Sequence, residues 1–259
     1  MRGEDAAGRA QLALRFGLAA DGGTALLARH VEWPWSLPRG YRRAGVTGPL
    51  TVLPQCAGAA LLPGDHWRHH VALQPGARVD LVSAGALLVH ADRAAPRPAR
   101  SDWAFHVAAG AVLRQMPDPT VLMPGAQLAQ EVELCLEPGA VAVLFDGFCR
   151  QTPTAPVAGG GWHSALRVTD PAGRVLLYDR QAVDEAGLIA LAALPGRAAA
   201  FGSVTLLGHD DLAEGPLDLP GAYAAAARLR GGLGTAIRIA AESGGALDRA
   251  FRLLRDRLA

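Results

Sequence analysis

The sequence predicts a mainly β protein built from ten or more short strands. Six Pro-Gly dipeptides divide the chain, at residues 63, 75, 124, 138, 195 and 220. This pair is typical of turns because proline fixes φ and glycine accepts a positive φ. The spacing of about 12 to 14 residues between turns suits a stacked or sandwiched all-β body. Alternation alone does not separate a sandwich from a β-helix.

Four segments carry the strand prediction. The clearest is 127–137, where Val132, Leu134 and Leu136 share one face and the glutamates between them share the other. Segments 77–81 and 102–107 alternate in the same way. Segment 140–145 is apolar on both faces, which indicates a more fully buried strand. If residues 67–73 form a strand, His66 and His70 share one face and His69 lies on the other.

Helices are expected only near the C-terminus. Apolar residues recur at helical spacing from Leu247 to Leu258, which predicts an amphipathic helix. The alanine-rich segment 222–229 is interpreted as a second short helix that ends at Gly231-Gly232. Segment 234–240 is expected to be a strand between them. We expect one domain, with a β body over about residues 10–210 and a helix-containing region over about 217–259.

Composition excludes several function classes. The formal charge is +1, from 25 basic and 24 acidic residues, so no net field favours nucleic acid or an acidic membrane. We expect a cytoplasmic protein, because no apolar run is long enough to span a bilayer and no secretory signal is recognisable. Three cysteines without C-x-x-C spacing indicate neither a disulfide framework nor a zinc ribbon. There is no phosphate-binding loop and no nucleophile elbow.

Several motifs occur in the order found in one known family. Gly48, Pro49 and Leu50 open the first, and Gly64-Asp65 form a turn in which Pro63 replaces a family glycine. Further matches follow at 113–117, at 121–126 with Pro124 and Gly125, and at 144–146 with Arg150. In these segments, over roughly residues 10–180, the sequence resembles the urease accessory proteins of the UreD/UreH type.

The resemblance implies a fold, a function and partners. The family fold is a β-helix-like stack of strands with a small helical region near the C-terminus. The implied function is a non-catalytic scaffold that assists nickel insertion into apo-urease. A UreF-like adaptor, a UreG-like GTPase and apo-urease would be its partners, and a homodimer within a larger complex is consistent with this. No tightly bound cofactor is implied, and nickel would be in transit.

Three residues are candidates for the nickel path. The resemblance implies that the Asp65 and Asp146 carboxylates line an internal route, and His66 is adjacent to Asp65. Each also has a structural interpretation: Asp65 could cap its own turn, Arg150 could neutralise Asp146, and His66 could be solvated. His66 and His70 would lie about 13 Å apart along a strand, so they would not chelate one ion.

The sequence also departs from the family pattern. No glutamate follows Arg150, and the segment Ser83–His90 lacks the family lysine and tyrosine. These losses leave open a UreD-like paralogue that serves another metalloenzyme. A metal-dependent small-molecule enzyme of cupin-like β architecture is the other alternative, although the chain has no His-x-His motif. The loop Trp33–Arg43 is longer than the family norm.

Overall fold

The structure, a computed structural model, describes residues 10–58, 60–92, 97–151, 160–193, 198–209 and 212–258. Within them it confirms the mainly β prediction, with two large sheets, one two-stranded sheet and two short α-helices. The helices are α1 (Glu185–Ala192) and α2 (Gly244–Arg257). A small two-stranded sheet pairs β3 (Trp35–Ser36) with β5 (Gln55–Cys56), and of these two strands β3 lies in the predicted loop Trp33–Arg43.

Sheet I has seven strands in the spatial order β16-β15-β13-β10-β7-β1-β2. Its strands are β1 (Leu12–Leu18), β2 (Thr24–Val31), β7 (His66–Leu73), β10 (Ala99–Val107), β13 (Gln127–Leu136), β15 (Gly161–Thr169) and β16 (Val175–Asp184).

Sheet II has eleven strands, eight of which follow the order β18-β19-β20-β17-β14-β11-β8-β4. The remaining three are short: β12 pairs with β14, and β9 lies between β12 and β6. Its strands are β4 (Leu50–Val52), β6 (Ala60–Leu61), β8 (Arg78–Val82), β9 (Leu88–Val89), β11 (Val112–Met116), β12 (Thr120–Leu122), β14 (Val141–Arg150), β17 (Ala200–Leu207), β18 (Gly215–Leu219), β19 (Ala222–Arg228) and β20 (Gly234–Ala241).

Between β6 and β15 the chain passes back and forth between the two sheets. Strands β7, β10, β13 and β15 pair in parallel in sheet I, while β8, β11 and β14 pair in parallel in sheet II. Each passage therefore lays a strand directly beside the one before it. His69, Trp103, Val132 and Leu166 become side-by-side neighbours in this way. Side chains at equivalent positions form continuous rows across the sheet.

The predicted turns explain how each strand ends. In the described residues, Pro-Gly pairs form turns after β6, β7, β12, β13 and β18, and each glycine has a positive φ of 73–85°. The sixth pair, Pro195-Gly196, lies outside the described residues. An L residue other than glycine is disfavoured at such φ values, so these turns explain the choice of residue.

Apolar side chains pack in two main layers. One layer lies between the sheets and includes Leu14, Phe16 and Leu113, each at most 1% exposed. The other lies between sheet II and α2, where the Phe251 and Phe145 rings meet edge to face with centroids 5.2 Å apart. The predicted amphipathic helix is thus confirmed. Ser243 caps it by accepting a hydrogen bond from the backbone N–H of Ala246 at 3.1 Å.

The alanine-rich segment predicted as a helix is a strand. Residues 222–228 form β19, which pairs antiparallel with both β18 and β20. Alanine has the strongest intrinsic helix preference, but that preference is worth less than about 1 kcal/mol per residue. Hydrogen bonds to two neighbouring strands outweigh it. The second helix of the fold, α1, was not predicted. Its first turn is capped by Asp184, whose carboxylate accepts from the Gly187 N–H at 2.8 Å.

Candidate functional site

Polar side chains form two rows on the facing sides of the sheets, inside an otherwise apolar interior. On sheet I, residues in register on four adjacent strands form one row. On sheet II, residues of β11, β14 and β17 form the other. We call these two rows the polar seam. Its members are Ser101, Gln130, Ser164 and Gln181 on sheet I, and Gln115, Asp146, Ser203 and Thr205 on sheet II.

Asp146 is the carboxylate of the seam, and sheet I supplies its hydrogen bonds. Ser164 Oγ donates to Oδ2 at 2.7 Å, and Gln130 Nε2 donates to Oδ1 at 3.0 Å. Ser164 is 7% exposed. Further along the seam, Gln181 Nε2 is 3.5 Å from Ser203 Oγ. The two rows are therefore bridged by side-chain hydrogen bonds at two points.

Burial raises the pKa of Asp146 above its ordinary value. The hydrogen bonds from Ser164 and Gln130 and the field of Arg238 oppose this rise but do not cancel it. Asp146 retains some accessible surface only because it faces an interior cavity. A carboxylate in this position gains from any cation that can reach it, because burying an unneutralised charge costs several kcal/mol, on the order of 3 to 5.

Two cavities meet at the middle of the seam. The larger has a volume of about 210 Å³ and opens beside the exposed residues 84–86. The smaller, of about 30 Å³, lies further along between the sheets. Gln115, Gln130 and Asp146 line both of them. Asp146 is therefore the carboxylate at which the two cavities adjoin.

The far side of the smaller cavity is bounded by an ion pair between the sheets. Asp179 of β16 lines this cavity, and Arg238 Nη2 of β20 donates to its Oδ2 at 2.7 Å. The two side chains are 25% and 48% exposed, so this end of the seam reaches the protein surface. The polar seam thus runs from the mouth near residues 84–86 to the Asp179–Arg238 pair.

His69 lies in the wall of the larger cavity. It is 3% exposed, and its ring stacks on Trp103 with centroids 3.9 Å apart. Its Nδ1 donates to the backbone carbonyl of Asp102 at 3.0 Å, whereas its Nε2 has no hydrogen-bond partner among the described residues. Burial lowers the pKa of this imidazole to about 3, against a smaller opposing effect of the Asp102 hydrogen bond.

Asp65 makes its hydrogen bonds within its own turn. Its Oδ2 accepts from the Leu62 N–H at 2.9 Å, and its own N–H donates to the Leu62 carbonyl at 3.0 Å. Gly64 precedes it with a φ of 85°. The carboxylate is half-buried, and it lines neither of the two cavities of the seam.

His66 lies on the outer face of sheet I. Its Nε2 is 2.5 Å from Asp102 Oδ2, and Arg68 Nη2 donates to its Nδ1 at 2.9 Å. It is the first residue of β7, and alternation directs Trp67 and His69 toward the interior instead. The structure therefore does not bring His66 and Asp146 together.

Arg150 is not the partner of Asp146. It is the last residue of β14, four positions from Asp146, and it lines a separate cavity of about 10 Å³ with Glu185. The cation whose field acts on Asp146 is Arg238. Sequence reasoning missed this, because Arg238 becomes a neighbour only through the pairing of β14, β17 and β20.

The other motif residues have structural roles. A Cβ on Gly48 would lie 2.9 Å from the Ala44 carbonyl oxygen, so the backbone there requires glycine. Pro49 leads into β4, where Leu50 is 7% exposed and belongs to the core between the sheets. Pro124 and Gly125 form the turn between β12 and β13.

No group of three or more histidine, cysteine, aspartate or glutamate side chains is placed to hold a metal ion in the described part of the chain. Within the same residues, no helix is both long and apolar enough to cross a bilayer. Any ion in the seam would therefore be held by few protein ligands and would keep water in its coordination sphere.

Comparisons with known proteins agree with the motif matches. The family model of the UreD urease accessory protein matches residues 8–259. The chain is 32% identical over 250 residues to urease accessory protein UreD 1 of Methylorubrum populi, covering 93% of this chain and 84% of that protein. It is 31% identical over 244 residues to urease accessory protein UreD of Mycolicibacterium smegmatis, covering 93% and 87%. The chain therefore belongs to the UreD urease accessory protein family.

Proposed function

We propose that the protein is a non-catalytic scaffold of urease maturation in the cytoplasm, and that nickel crosses it along the polar seam to apo-urease. The single observation that supports this best is Asp146, a part-buried carboxylate at the junction of two interior cavities. Family membership supports the accessory role. A metal-dependent enzyme of cupin-like architecture finds no support from either.

Ligand chemistry supports transit over storage. Carboxylate and amide oxygens and water bind nickel less tightly than thiolates or imidazoles would. The seam offers one carboxylate, three glutamines and several hydroxyls along the two cavities. An ion that is held weakly at Asp146 can move on, whereas a site with several cysteine or histidine ligands would retain it.

The partners in this proposal are apo-urease, a UreF-like adaptor and a UreG-like GTPase. The sequence has no G-x-x-x-x-G-K-[ST] loop and no lysine, so nucleotide hydrolysis belongs to another subunit. We propose that the whole chain acts as one domain in this assembly, because β17 to β20 of the C-terminal half extend the sheet that also contains β4 and β8.

We propose that nickel contacts Asp65 and His66 at the protein surface before it enters the interior, and that neither residue lines the interior route. They are consecutive residues at the start of β7, and both already have hydrogen-bond partners. The segment 83–87 lines the mouth of the larger cavity, so the family lysine and tyrosine missing from 83–90 are missing beside this opening. The surface that a client protein would contact at this opening therefore differs from that of the family. A metalloenzyme other than urease is the second candidate for the client.

Co-purification tests the assembly. Tagged protein from its native cells should recover urease structural subunits together with a nickel-dependent GTPase and a helical adaptor. Recovery of another metalloenzyme in place of urease would assign the chain to that client, and recovery of neither would contradict the proposed function.

Replacement of the seam carboxylate tests the route. Asp146→Asn keeps the side-chain shape and removes the charge, and it should slow nickel loading of apo-urease by at least about tenfold, which corresponds to roughly 1.4 kcal/mol. Nickel per urease, measured by mass spectrometry, is the readout. Glu133→Gln, on the exposed face of β13, is the matched control. Equal loading by both variants would contradict a route through Asp146.

A further inference from the structure

His69 is the most unusual polar group in the interior that the seam does not use. It is one of two residues in the cavity wall whose buried nitrogen lacks a hydrogen-bond partner in the described residues, the other being Trp35. Burying a polar nitrogen without a partner costs about 1 to 3 kcal/mol. Both side chains line the same cavity, so a polar species inside it is the partner that the described residues do not supply.

The hydrogen bond at the other ring nitrogen fixes what Nε2 can do. A carbonyl oxygen only accepts, so the contact with Asp102 O at 3.0 Å places the proton of the neutral ring on Nδ1. Nε2 then carries a lone pair and no proton. A histidine that donates one ring N–H to a backbone carbonyl and presents the other nitrogen unprotonated has the arrangement of a metal ligand.

The surroundings hold this ring in place. Trp103 stacks on one side of it, and the Trp35 ring meets it edge to face with centroids 4.9 Å apart. The lowered pKa keeps the imidazole neutral at any physiological pH. No proton therefore competes for Nε2. This nitrogen has almost no accessible surface, so a small side-chain movement in the cavity wall must open it to an ion in the cavity.

We propose that His69 Nε2 is a docking point for a first-row divalent transition ion inside the larger cavity. The inference rests on the proposed function for the identity of the ion, nickel, but not for the site itself. Water completes the coordination sphere, because the described residues contain no group of three metal-ligating side chains. The Trp35 N–H faces the same wall and can donate to a water or an anion that accompanies the ion.

His69 and Asp146 are two successive stations, not two ligands of one ion. Asp146 is hydrogen-bonded to Gln130, which is two strands away from β7 and level with Trp67. Sheet spacing then puts the Cα atoms of His69 and Gln130 on the order of 12 Å apart. An ion at His69 would reach Asp146 through the cavity that both residues line.

Crystals of the full chain soaked in Ni²⁺ test the site directly. We expect an anomalous peak within about 2.2 Å of His69 Nε2, which His69→Phe removes while keeping an aromatic ring on Trp103. His70→Phe is the matched control, since this neighbouring side chain points to the other face of β7 and its loss should leave the peak. The absence of an anomalous peak at Nε2, with or without an ordered water in its place, would overturn the proposal.

A solution measurement guards against a lattice effect. Ni²⁺ is paramagnetic, so it should broaden the His69 ring resonance of ¹⁵N-histidine-labelled protein, and affinity at this site should fall at least about tenfold in His69→Phe. If the linewidth of that resonance stays unchanged at a large excess of Ni²⁺, the proposal is overturned. Circular dichroism and the melting temperature of each variant establish that it has folded.

Urease loading separates this inference from the proposed function. If Ni²⁺ binds His69 but His69→Phe loads urease at the wild-type rate, the site stands and its place on the route is wrong. If Asp146→Asn slows loading while Ni²⁺ does not bind His69, the proposed function stands and the docking point is wrong.

Discussion

The two faces of sheet I carry the same kinds of residue in opposite circumstances. On the outer face, His66 and His106 pair with the carboxylates of Asp102 and Glu137 at 2.5 and 2.9 Å, with side chains 28% and 45% exposed. On the inner face, His69 is buried, and the part-buried Asp146 carboxylate of sheet II lies against Gln130 and Ser164 of the same face. Water solvates the outer groups, whereas the inner groups depend on a few hydrogen bonds.

Ligand binding is therefore expected on the inner face of sheet I and not on its outer face. The His66, His69, His70 cluster is conspicuous in the sequence, but strand alternation divides it between the two faces. An exposed histidine beside a carboxylate contributes little, because both groups are hydrated and screened. A buried group with an incomplete set of partners gains more from a ligand. Substitutions on the inner face should therefore change stability and nickel loading more than substitutions on the outer face.

The largest effect is the pH dependence contributed by His69 in the metal-free protein. Its pKa is lowered to about 3 in the folded state, so between about pH 6.5 and pH 3 only the unfolded state takes up the proton. Stability is therefore lost as the pH falls, by about 1.4 kcal/mol per unit. His69→Phe should remove this slope. Denaturant unfolding at a series of pH values measures it, and a slope equal to wild type would contradict the burial of the imidazole.

Ser164→Ala should be next in size. It removes the 2.7 Å hydrogen bond to Asp146 and leaves one carboxylate oxygen poorly satisfied, at a cost of about 1 to 3 kcal/mol. Arg167→Ala changes the exposed face of the same strand and should stay within about 0.5 kcal/mol. Chemical denaturation of both variants gives the comparison. Equal losses of stability would show that the Ser164 hydrogen bond contributes no more to folding than an exposed side chain does.

Asp146→Asn should stabilise the protein at neutral pH while it impairs nickel loading. The raised pKa means that the folded state holds a proton longer than the unfolded state as the pH rises, so Asp146 lowers stability above its ordinary pKa. Each pH unit of that window corresponds to about 1.4 kcal/mol. The variant and wild type should converge below about pH 4. A thermal unfolding series that shows a less stable variant at neutral pH would contradict this sign.

His66→Gln should have the smallest effect. The His66–Asp102 pair is part-exposed, and pairs of this kind are worth about 0.2 to 1 kcal/mol. The loss should shrink with added salt, because exposed charges are screened. Nickel loading should change less than in Asp146→Asn. A loading defect as large as that of Asp146→Asn would place the outer face on the route.

Local features of the fold could be read from the sequence. Pro-Gly pairs fix turns through backbone restraints that act within two residues, and alternation in β13 follows from one buried face. The amphipathic helix α2 is also a local pattern. The segment Ala222–Arg228 was misread because its helical preference is local, whereas its hydrogen bonds to β18 and β20 are not.

The seam could be anticipated only in part. Asp146 was singled out from a motif at the end of a buried run, but Gln130, Ser164 and Arg238 look ordinary in the sequence. They become partners through strand register, which no single segment encodes. Alternation does place His69 on the inner face, so its burial could be foreseen. Its unpartnered Nε2 could not, because that depends on the packing of Trp35 and Trp103.

The back-and-forth threading of the chain has a kinetic consequence. Every parallel pair in sheet I joins segments that are separated by an intervening strand of sheet II. Proteins whose contacts join distant segments fold more slowly than helical proteins of similar size, since the closure entropy of each loop must be met before its contacts form. Nascent chains should therefore spend longer with unpaired strand edges exposed, and early association with a partner protein would shorten that vulnerable interval.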